Sequence, residues 1–392
     1  MLTKLRFKNW RSLRDVTIED LTPLTVFIGA NSSGKTNIVD GLHFLRDSNQ
    51  YGVFKAVSGR NGMEKVRSFS AMDIEPLEIE FSFTPSYSLP PLCYEVGIKY
   101  ENNLLPKVAE ILKSTAGEIF VEATYDEDEG VQIRHNIGED IHPLPDAPFG
   151  WEQTVLSVFG DVPTYGPIYH TYQFMMRRWQ ILDEMFDPQL SLPIGQGDFG
   201  LLDNKARNLP SLLHFMQAVE KSAYEHMMED LSTLTSHVEG VEISANEYET
   251  RILIKEALHQ LKEAPTISAG TRRIVAMLAA YYSLDIGPRA KMPGLLVIEE
   301  PDTALNPGIL RVFVDLLRRY VSREGYPRQI ILTTHNPYFL DFFEPDEVRV
   351  VERDREGYSH VNRIDPAVWD IWKDQYTLGQ VWLANSFGGL PL

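Results

Sequence analysis

The chain has 392 residues, 43% hydrophobic and 23% charged, and its 37 basic and 55 acidic residues leave a net charge of -18. That length is more than one core usually serves, so two lobes or one large domain with an insertion are expected; the acidic balance disfavours coating nucleic acid through bulk charge but leaves room for a local basic groove. A single cysteine, Cys93, rules out an intrachain disulfide framework and fits a reducing cytoplasm, and neither a signal-peptide hydrophobic region nor an apolar run of about eighteen residues offers a membrane segment.

Residues 2–9 alternate Leu2, Leu5 and Phe7 with Lys4, Arg6 and Lys8, the pattern of a half-buried strand. Val16-Thr17-Ile18-Glu19 is a second short strand, and Leu24-Thr25-Val26-Phe27-Ile28 a third, buried one. It runs into Gly29-Ala30-Asn31-Ser32-Ser33-Gly34-Lys35-Thr36, which fits G-x-x-x-x-G-K-[ST], and a helix is predicted from Lys35 to about Asp47. Phosphate chemistry explains these residue types. Gly29 and Gly34 let the backbone bend so that successive N–H groups converge on phosphate oxygens. The helix N-terminus adds partial positive charge. Lys35 supplies a mobile cation, and the Thr36 hydroxyl can ligate Mg²⁺. Residues 48–63, polar and punctuated by glycine, read as a loop.

Residues 77–83, 94–100, 119–124 and 131–134 alternate with period two and are separated by turn residues, so an antiparallel meander is predicted, with the acidic run at 126–129 as a solvated hairpin tip. Pro143, Pro145 and Pro148 mark a linker. Helical spacing follows at 154–160 and 171–186, the second carrying Met175, Met176, Trp179, Ile181, Leu182 and Met185 as a core stripe. Gly195, Gly197 and Gly200 form a flexible connection. Asn208 caps a helix through Glu220, another reaches His237, and residues 241–245 and 251–255 pair as strands.

A nearly all-apolar helix spans 271–284, and residues 294–298 form a strand buried on both faces. Residues 306–321 are an amphipathic helix, and 329–333 another buried strand. The fold class is α/β, with these two strands and residues 24–28 expected to rejoin in one parallel sheet. The chain divides into an N-terminal part of one lobe at 1–150, a mostly helical insertion at 151–264, and the C-terminal part of the lobe at 265–392.

Two carboxylates, Glu299 and Glu300, end the 294–298 strand. There Glu299 can hold a Mg²⁺ shell through water and Glu300 can polarise an attacking water. His335 follows the 329–333 strand at its C-terminal end, where open α/β sheets build their sites, and is assigned a γ-phosphate contact. Ser268 and Gly270, at the start of the apolar helix, offer a hydroxyl and bare N–H groups to an anion; alone they read as a cap.

In this order, the loop, Ser268-Ala269-Gly270-Thr271, Leu296-Val297-Ile298-Glu299-Glu300-Pro301 and Thr333-Thr334-His335 resemble the ABC-type ATPase heads of the SMC, RecF and overcoming-lysogenization-defect groups. Within that set the chain resembles the standalone RecF-like ATPases of bacteria. Phe7-Lys8-Asn9-Trp10-Arg11-Ser12 is similar to the N-terminal strand signature. Asp346 to Glu352, Leu378-Gly379-Gln380-Val381-Trp382 and Gly388-Gly389 extend the resemblance, which is good over 1–47 and 265–392 and loose over 70–260. It departs at Ala269, at Asp302 where many relatives have glutamate, and at Glu299 where aspartate is common.

The resemblance implies a P-loop NTPase, an ABC-ATPase-like head with an antiparallel β meander and an inserted helical lobe, using ATP and Mg²⁺. Gly29, Asn31, Ser32, Ser33, Gly34, Lys35, Thr36 and Asn37 would bind the nucleotide with Arg11 near its phosphates; Lys35, Glu300 and His335 would be catalytic, and Thr36 and Glu299 would serve the metal. Two heads would form a homodimer around two ATP molecules, Ser268 and Gly270 touching the γ-phosphate held by the other copy. Asn306-Pro307 would belong to the dimer-contact loop. Arg272-Arg273 is assigned to the dimer interface, and Arg177-Arg178 and Arg318-Arg319 are read as solvated or ion-paired. Gln153, Gln173 and Gln180 all remain candidates for a Mg²⁺-sensing glutamine. The stretch after His335 is too short for the nuclease domain that lysogenization-defect relatives carry there, so residues 348–361 are read as a closing hairpin. The expected function is a cytoplasmic ATP-hydrolysing switch gating a separately encoded effector, such as a nuclease, in phage defence or DNA maintenance. The alternatives are an ATP-dependent scaffold with little turnover and a RecF-like DNA loader.

Overall fold

Period two at the N-terminus has the expected outcome: β1 (Leu2–Trp10) buries Leu2, Leu5 and Phe7 and leaves Lys4, Arg6 and Lys8 half-buried. The structure, a computed structural model, describes residues 1–71, 75–85, 90–101, 105–126, 130–135, 153–193, 200–235, 237–256, 260–262, 266–287, 290, 292–303, 305–323 and 327–389. They form two units, residues 1–176 with 344–392, and residues 177–343. The expected linker prolines, the hairpin tip at 127–129, and Gly195 and Gly197 lie outside the described residues.

In the first unit β1 is followed by β2 (Leu13–Ile18), β3 (Leu24–Ile28), α1 (Lys35–Tyr51), α2 (Val53–Ser58) and α3 (Met63–Val66). The loop expected at 48–63 is thus mostly helical. Val53, Ala56, Val57 and Met63 are buried, and Gly52, Gly59 and Gly62 cap turns too short to show a period. The meander is present as β4 (Leu77–Phe83), β5 (Leu92–Glu101), β6 (Leu105–Ser114), β7 (Ile119–Asp126) and β8 (Gly130–His135). It continues β1 and β2 into a seven-stranded sheet ordered β2-β1-β4-β5-β6-β7-β8, antiparallel throughout. β6 was not anticipated because its inward residues are Val108, Glu110, Leu112 and Ser114. Two polar residues on the buried face mask the alternation.

Glu110 explains its own burial. Its carboxylate accepts the N–H groups of Val155 and of Leu156 (3.3 Å) at the start of α4 (Val155–Phe159). Thr154, the N-cap of that helix, donates to Asn49 Oδ1 on α1 at 2.6 Å. Glu110 thus joins the sheet to α4, and Thr154 joins α4 to the end of α1. Desolvation dominates there and pushes the Glu110 carboxyl up to about 7 despite those hydrogen bonds. α5 (Gly166–Arg178) then leads toward the second unit, and Phe174 stacks on Phe83 with ring centroids 4.6 Å apart.

The second unit contains β9 (Trp179–Leu182), β10 (Ser191–Pro193), α6 (Leu209–Val219), α7 (Lys221–Leu234), β11 (Val238–Ala245), β12 (Glu249–Glu256), β13 (Gln260–Lys262), α8 (Ala269–Ser283), β14 (Gly294–Glu299), α9 (Pro307–Val321), β15 (Arg328–Thr334) and α10 (Pro337–Leu340). Its centre is the parallel run β9-β14-β15, with Leu182 opposite Ile298 and Ile298 opposite Leu332. β12 pairs with β11, as expected, and also with β10 and β13. The helix expected through 186 stops at Arg178. Four buried residues then run as a strand, a case in which a short apolar segment carries no period to decide between helix and strand. Arg178 is itself buried and donates to the carbonyls of Leu284 (2.5 Å), Met292 (2.7 Å) and Pro293 (3.0 Å), so it is not solvated. Met185, assigned to the core stripe, is 78% exposed. α7 stops at Leu234, short of His237.

Back in the first unit, β16 (Val348–Arg353) runs parallel to β3, and β17 (Ser359–Arg363) closes the expected hairpin. α11 (Pro366–Trp372) and α12 (Leu378–Leu383) follow. Among the described residues no helix is long and apolar enough to cross a membrane.

The Glu110 link makes stability depend on pH. Its carboxyl holds a proton in the fold up to about pH 7 but releases it nearer its ordinary value when unfolded, so its contribution is complete at low pH and is lost as pH rises through 7. Urea unfolding of the parent and Glu110→Gln should diverge by roughly 2–3 kcal/mol between pH 5 and pH 8, the parent losing stability relative to the variant. A constant difference would contradict this role.

Candidate functional site

The first unit holds the phosphate loop between β3 and α1. Gly34 caps α1 with φ +116° and Ser32 lies at φ +66°, so the loop uses left-handed backbone where successive amides can converge. Space also demands glycine. A Cβ on Gly29 would lie 2.1 Å from the Val351 carbonyl, and one on Gly34 would lie 2.2 Å from Ser359 Oγ. Lys35 is buried, and its Nζ donates to the carbonyls of Gly29 (2.8 Å) and Ala30 (3.1 Å). Asn31, Ser32 and Thr36 are exposed, Asn37 is half-buried, and Ser33 is buried with no hydrogen-bond partner for its Oγ among the described residues.

A polar network that the sequence did not reveal supports the loop from behind. Ser359 Oγ donates to the Ser33 carbonyl at 2.5 Å and lies 2.7 Å from Ser12 Oγ. Asn37 Nδ2 donates to Ser12 Oγ at 2.6 Å, and Trp10 Nε1 to the Asn37 carbonyl at 2.7 Å. The Ala30 N–H donates to Gly389 O at 2.9 Å. Arg11, at φ +48°, pairs with Asp40 of α1 at 2.6 Å, and Asp40 also accepts from Arg60 at 3.0 Å.

The second unit holds the carboxylates. Glu299 ends β14 and is 4% exposed. Its Oε2 accepts the Glu184 N–H at 3.2 Å, while its Oε1 is buried without a partner among the described residues. Burial, then the charges of Asp183, Glu184 and Glu300, push its carboxyl up to about 7 against the pull of that N–H. Glu300 turns away at φ +49°, a rare conformation for a side chain of this size. Its N–H is held by Thr333, at 3.1 Å to O and 3.2 Å to Oγ1, and its carbonyl accepts from Arg273 at 3.3 Å. So placed, its Oε2 lies 2.7 Å from His335 Nδ1. Thr334 donates to Asp302 at 2.9 Å beside it.

The arginine pair and two of the glutamine candidates have partners within the chain. Arg273 is buried over the Phe186 ring at 4.2 Å and donates to the Glu184 carbonyl at 3.0 Å, while Arg272 pairs with Asp187 at 2.8 Å. Gln180 has both ends of its amide tied to the backbone of Leu202, at 3.0 and 2.9 Å, and Gln173 donates to Asp161 at 2.9 Å. The groups that do flank Glu299 are Asp183 and Glu184, just past β9, which went unnoticed because that segment read as helix.

Ser268 caps α8, accepting the Thr271 N–H at 3.1 Å. With Gly270, His237, Leu305 and Asn306 it lines a cavity of about 320 Å³. The two features assigned to one dimer face thus share one cavity, whereas Glu300 and His335 are not among its lining residues.

The residue types fit a nucleotide and a divalent cation. The loop presents the bent backbone and lysine that a triphosphate needs, and the unused buried oxygen of Glu299 and the Thr36 hydroxyl are hard oxygen donors of the kind Mg²⁺ takes.

A family model described as an AAA ATPase domain matches residues 1–252. A second, of an AAA domain named for the AbiEii toxin of a type IV toxin–antitoxin system, matches residues 176–341. Over 89 residues, 22% of this chain and 16% of the relative, the sequence is 33% identical to the OLD nuclease of Thermus scotoductus. Over 44 residues, 11% of this chain and 12% of the relative, it is 46% identical to the DNA replication and repair protein RecF of Acinetobacter baumannii. The matches therefore span a small part of those relatives' length. The fold is similar to that of the SmcHead bound to the C-winged helix domain of ScpA, with a TM-score of 0.58 and 15% identity over 93% of this chain and 98% of that one. These findings bear out the resemblance carried by the motifs.

Gly34→Ala tests the loop geometry. The left-handed angle alone should cost roughly 1–3 kcal/mol in chemical unfolding, and adding Ser359→Ala should recover part of the loss by removing the atom that the new methyl meets. Full recovery, or no cost, would show that the angle is not enforced.

Proposed function

The chain belongs to the AAA ATPase domain family, and we propose that it is a cytoplasmic ATP-hydrolysing switch that closes as a homodimer around two nucleotides and gates a separate effector. The effector would be a protein such as a nuclease, acting in phage defence or DNA maintenance. The observation that carries the catalytic part is the Glu300–His335 contact at 2.7 Å, built on a strained backbone at a buried strand end. Strain of that kind is retained where a side chain must be aimed.

In this reading the loop amides and Lys35 hold the triphosphate, Lys35 exchanging loop carbonyls for phosphate oxygens. Arg11 stands near the phosphates. Glu300 accepts a hydrogen bond from the attacking water and takes up its proton as the bond to the γ-phosphorus forms and the bond from that phosphorus to the β,γ-bridging oxygen breaks, ADP leaving. His335 keeps that carboxylate oriented and offers a ring nitrogen to the γ-phosphate. Thr36 and Glu299 would hold Mg²⁺, which when bound screens phosphate charge. Ser268 and Gly270 would meet the nucleotide of the other copy. A separate partner is supported by the SMC head of similar fold that was solved with a ScpA domain. A DNA loader is less well supported, since Arg178 and Arg273 are buried and Arg319 pairs with Asp230 at 3.2 Å.

Glu300→Gln should lose turnover by roughly a hundredfold or more while ATP-bound dimers accumulate, measured by phosphate release and by mass in solution; unchanged turnover would favour the scaffold. Because Glu299 keeps its proton up to about pH 7 and must release it to ligate a cation, apparent Mg²⁺ affinity should rise from pH 6 to pH 8. Calorimetry near pH 6.5 in two buffers should show proton release in the parent and none in Glu299→Gln.

A further inference from the structure

α11 buries none of its seven residues. Ile371 is 71% exposed, Tyr376 45% and Leu383 56%, and Trp372 is also exposed. Trp372, Tyr376, Gln380, Val381, Ala384 and Ser386 line an open groove of about 370 Å³ along α11 and α12. So short a helix gains little from its own hydrogen bonds, and a helix of this kind is normally held by the apolar face it covers.

Charge narrows what could fill the groove. Asp370 and Asp374 are exposed on either side of Trp372 in sequence, Asp365 is exposed at the start of α11, and Lys373, the sole cation between residues 365 and 386, bonds Asp370 at 2.7 Å. Phosphate backbones and anionic lipid surfaces meet repulsion there. A second copy would bring the same acidic flank against it. A cationic, apolar-faced protein segment meets neither obstacle, and exposed Trp and Tyr are the residue types that anchor such segments.

The inner side of α12 reaches the phosphate loop. Trp382 is buried against Gly389, where a Cβ would lie 2.9 Å from its Nε1 and 2.7 Å from Val350. Gly389, at φ +87°, accepts the Ala30 N–H and donates to Glu352 at 3.3 Å.

We propose that the groove on α11 and α12 docks an amphipathic helix of a separate protein, apolar on one face and flanked by Lys or Arg, and that docking is felt at the phosphate loop through Trp382, Gly389 and Ala30. The inference names the docking place of the switch's partner and rests on that reading. The probes are two labelled amphipathic peptides with one leucine-rich face, one flanked by Lys and the other by Glu, titrated with the full chain by fluorescence anisotropy.

The Lys-flanked peptide should bind about tenfold or more tightly than the Glu-flanked one, and Trp372→Ala and Tyr376→Ala should each weaken it about tenfold. Both variants should keep the parent's circular dichroism and its ATP affinity without peptide. Asp370→Asn with Asp374→Asn should erase the preference between peptides. Saturating peptide should shift ATP affinity about threefold or more in the parent, as reciprocal coupling requires; no shift removes the link to the loop. Equal binding of the two peptides overturns the docking proposal, as does binding that survives both aromatic substitutions. It is also overturned by Trp372-dependent self-association, or by Trp372-dependent binding to phosphatidylserine vesicles or single-stranded DNA. Peptide binding by a chain that binds no ATP would remove the switch and leave the groove standing.

Discussion

One backbone angle at the end of β14 separates two adjacent carboxylates. Glu299 continues the strand and is buried beside Asp183 and Glu184, and its carboxyl is pushed up to about 7. Glu300 turns at φ +49° and meets His335. Neighbouring acids with such different surroundings can take different tasks, one toward a cation and one toward a water. The turn persists because the surroundings over-determine it: Thr333 holds the Glu300 N–H from β15, and Arg273 holds its carbonyl from α8. That requirement explains why a guanidinium is buried here, at a cost that its contacts offset in part. Phe186 covers one face of it, and the Glu184 carbonyl takes another of its N–H groups.

The phosphate loop shows the same logic with backbone in place of side chains. Residues from distant parts of the chain converge on it: Ser12, Val351, Ser359 and Gly389 all touch or crowd the stretch from Gly29 to Gly34. Gly34 is needed for its angle, and both Gly29 and Gly34 are needed because Val351 O and Ser359 Oγ occupy the space where a Cβ would be. A loop held this closely is pre-organised, so less ordering is left for the nucleotide to impose.

The loop, its helix, β14, β15 and the acidic pair were legible because each depends on local residue types: glycines where the chain must bend, apolar runs where a strand is buried twice, carboxylates where it ends. What stayed hidden depends on partners far away in sequence. Ser12 and Ser359 are ordinary serines until the fold brings them within 2.7 Å. β6 hides because Glu110 sits inward, and nothing nearby in sequence announces the α4 amides that satisfy it. β9 hides because Trp179-Gln180-Ile181-Leu182 is too short to show a period, and with it went Asp183 and Glu184. The burial of Arg273 was hidden too, because the carbonyls that accept from it, those of Glu184 and Glu300, lie far away in sequence.

ATP affinity and turnover of Lys35→Ala, with the fold checked by circular dichroism, test most directly the proposal that the loop grips a triphosphate that the chain hydrolyses. Affinity should fall roughly tenfold or more, the cost of losing a charge-assisted contact, and turnover should vanish with it. Affinity and turnover equal to the parent's would contradict the claim that this site binds and hydrolyses ATP.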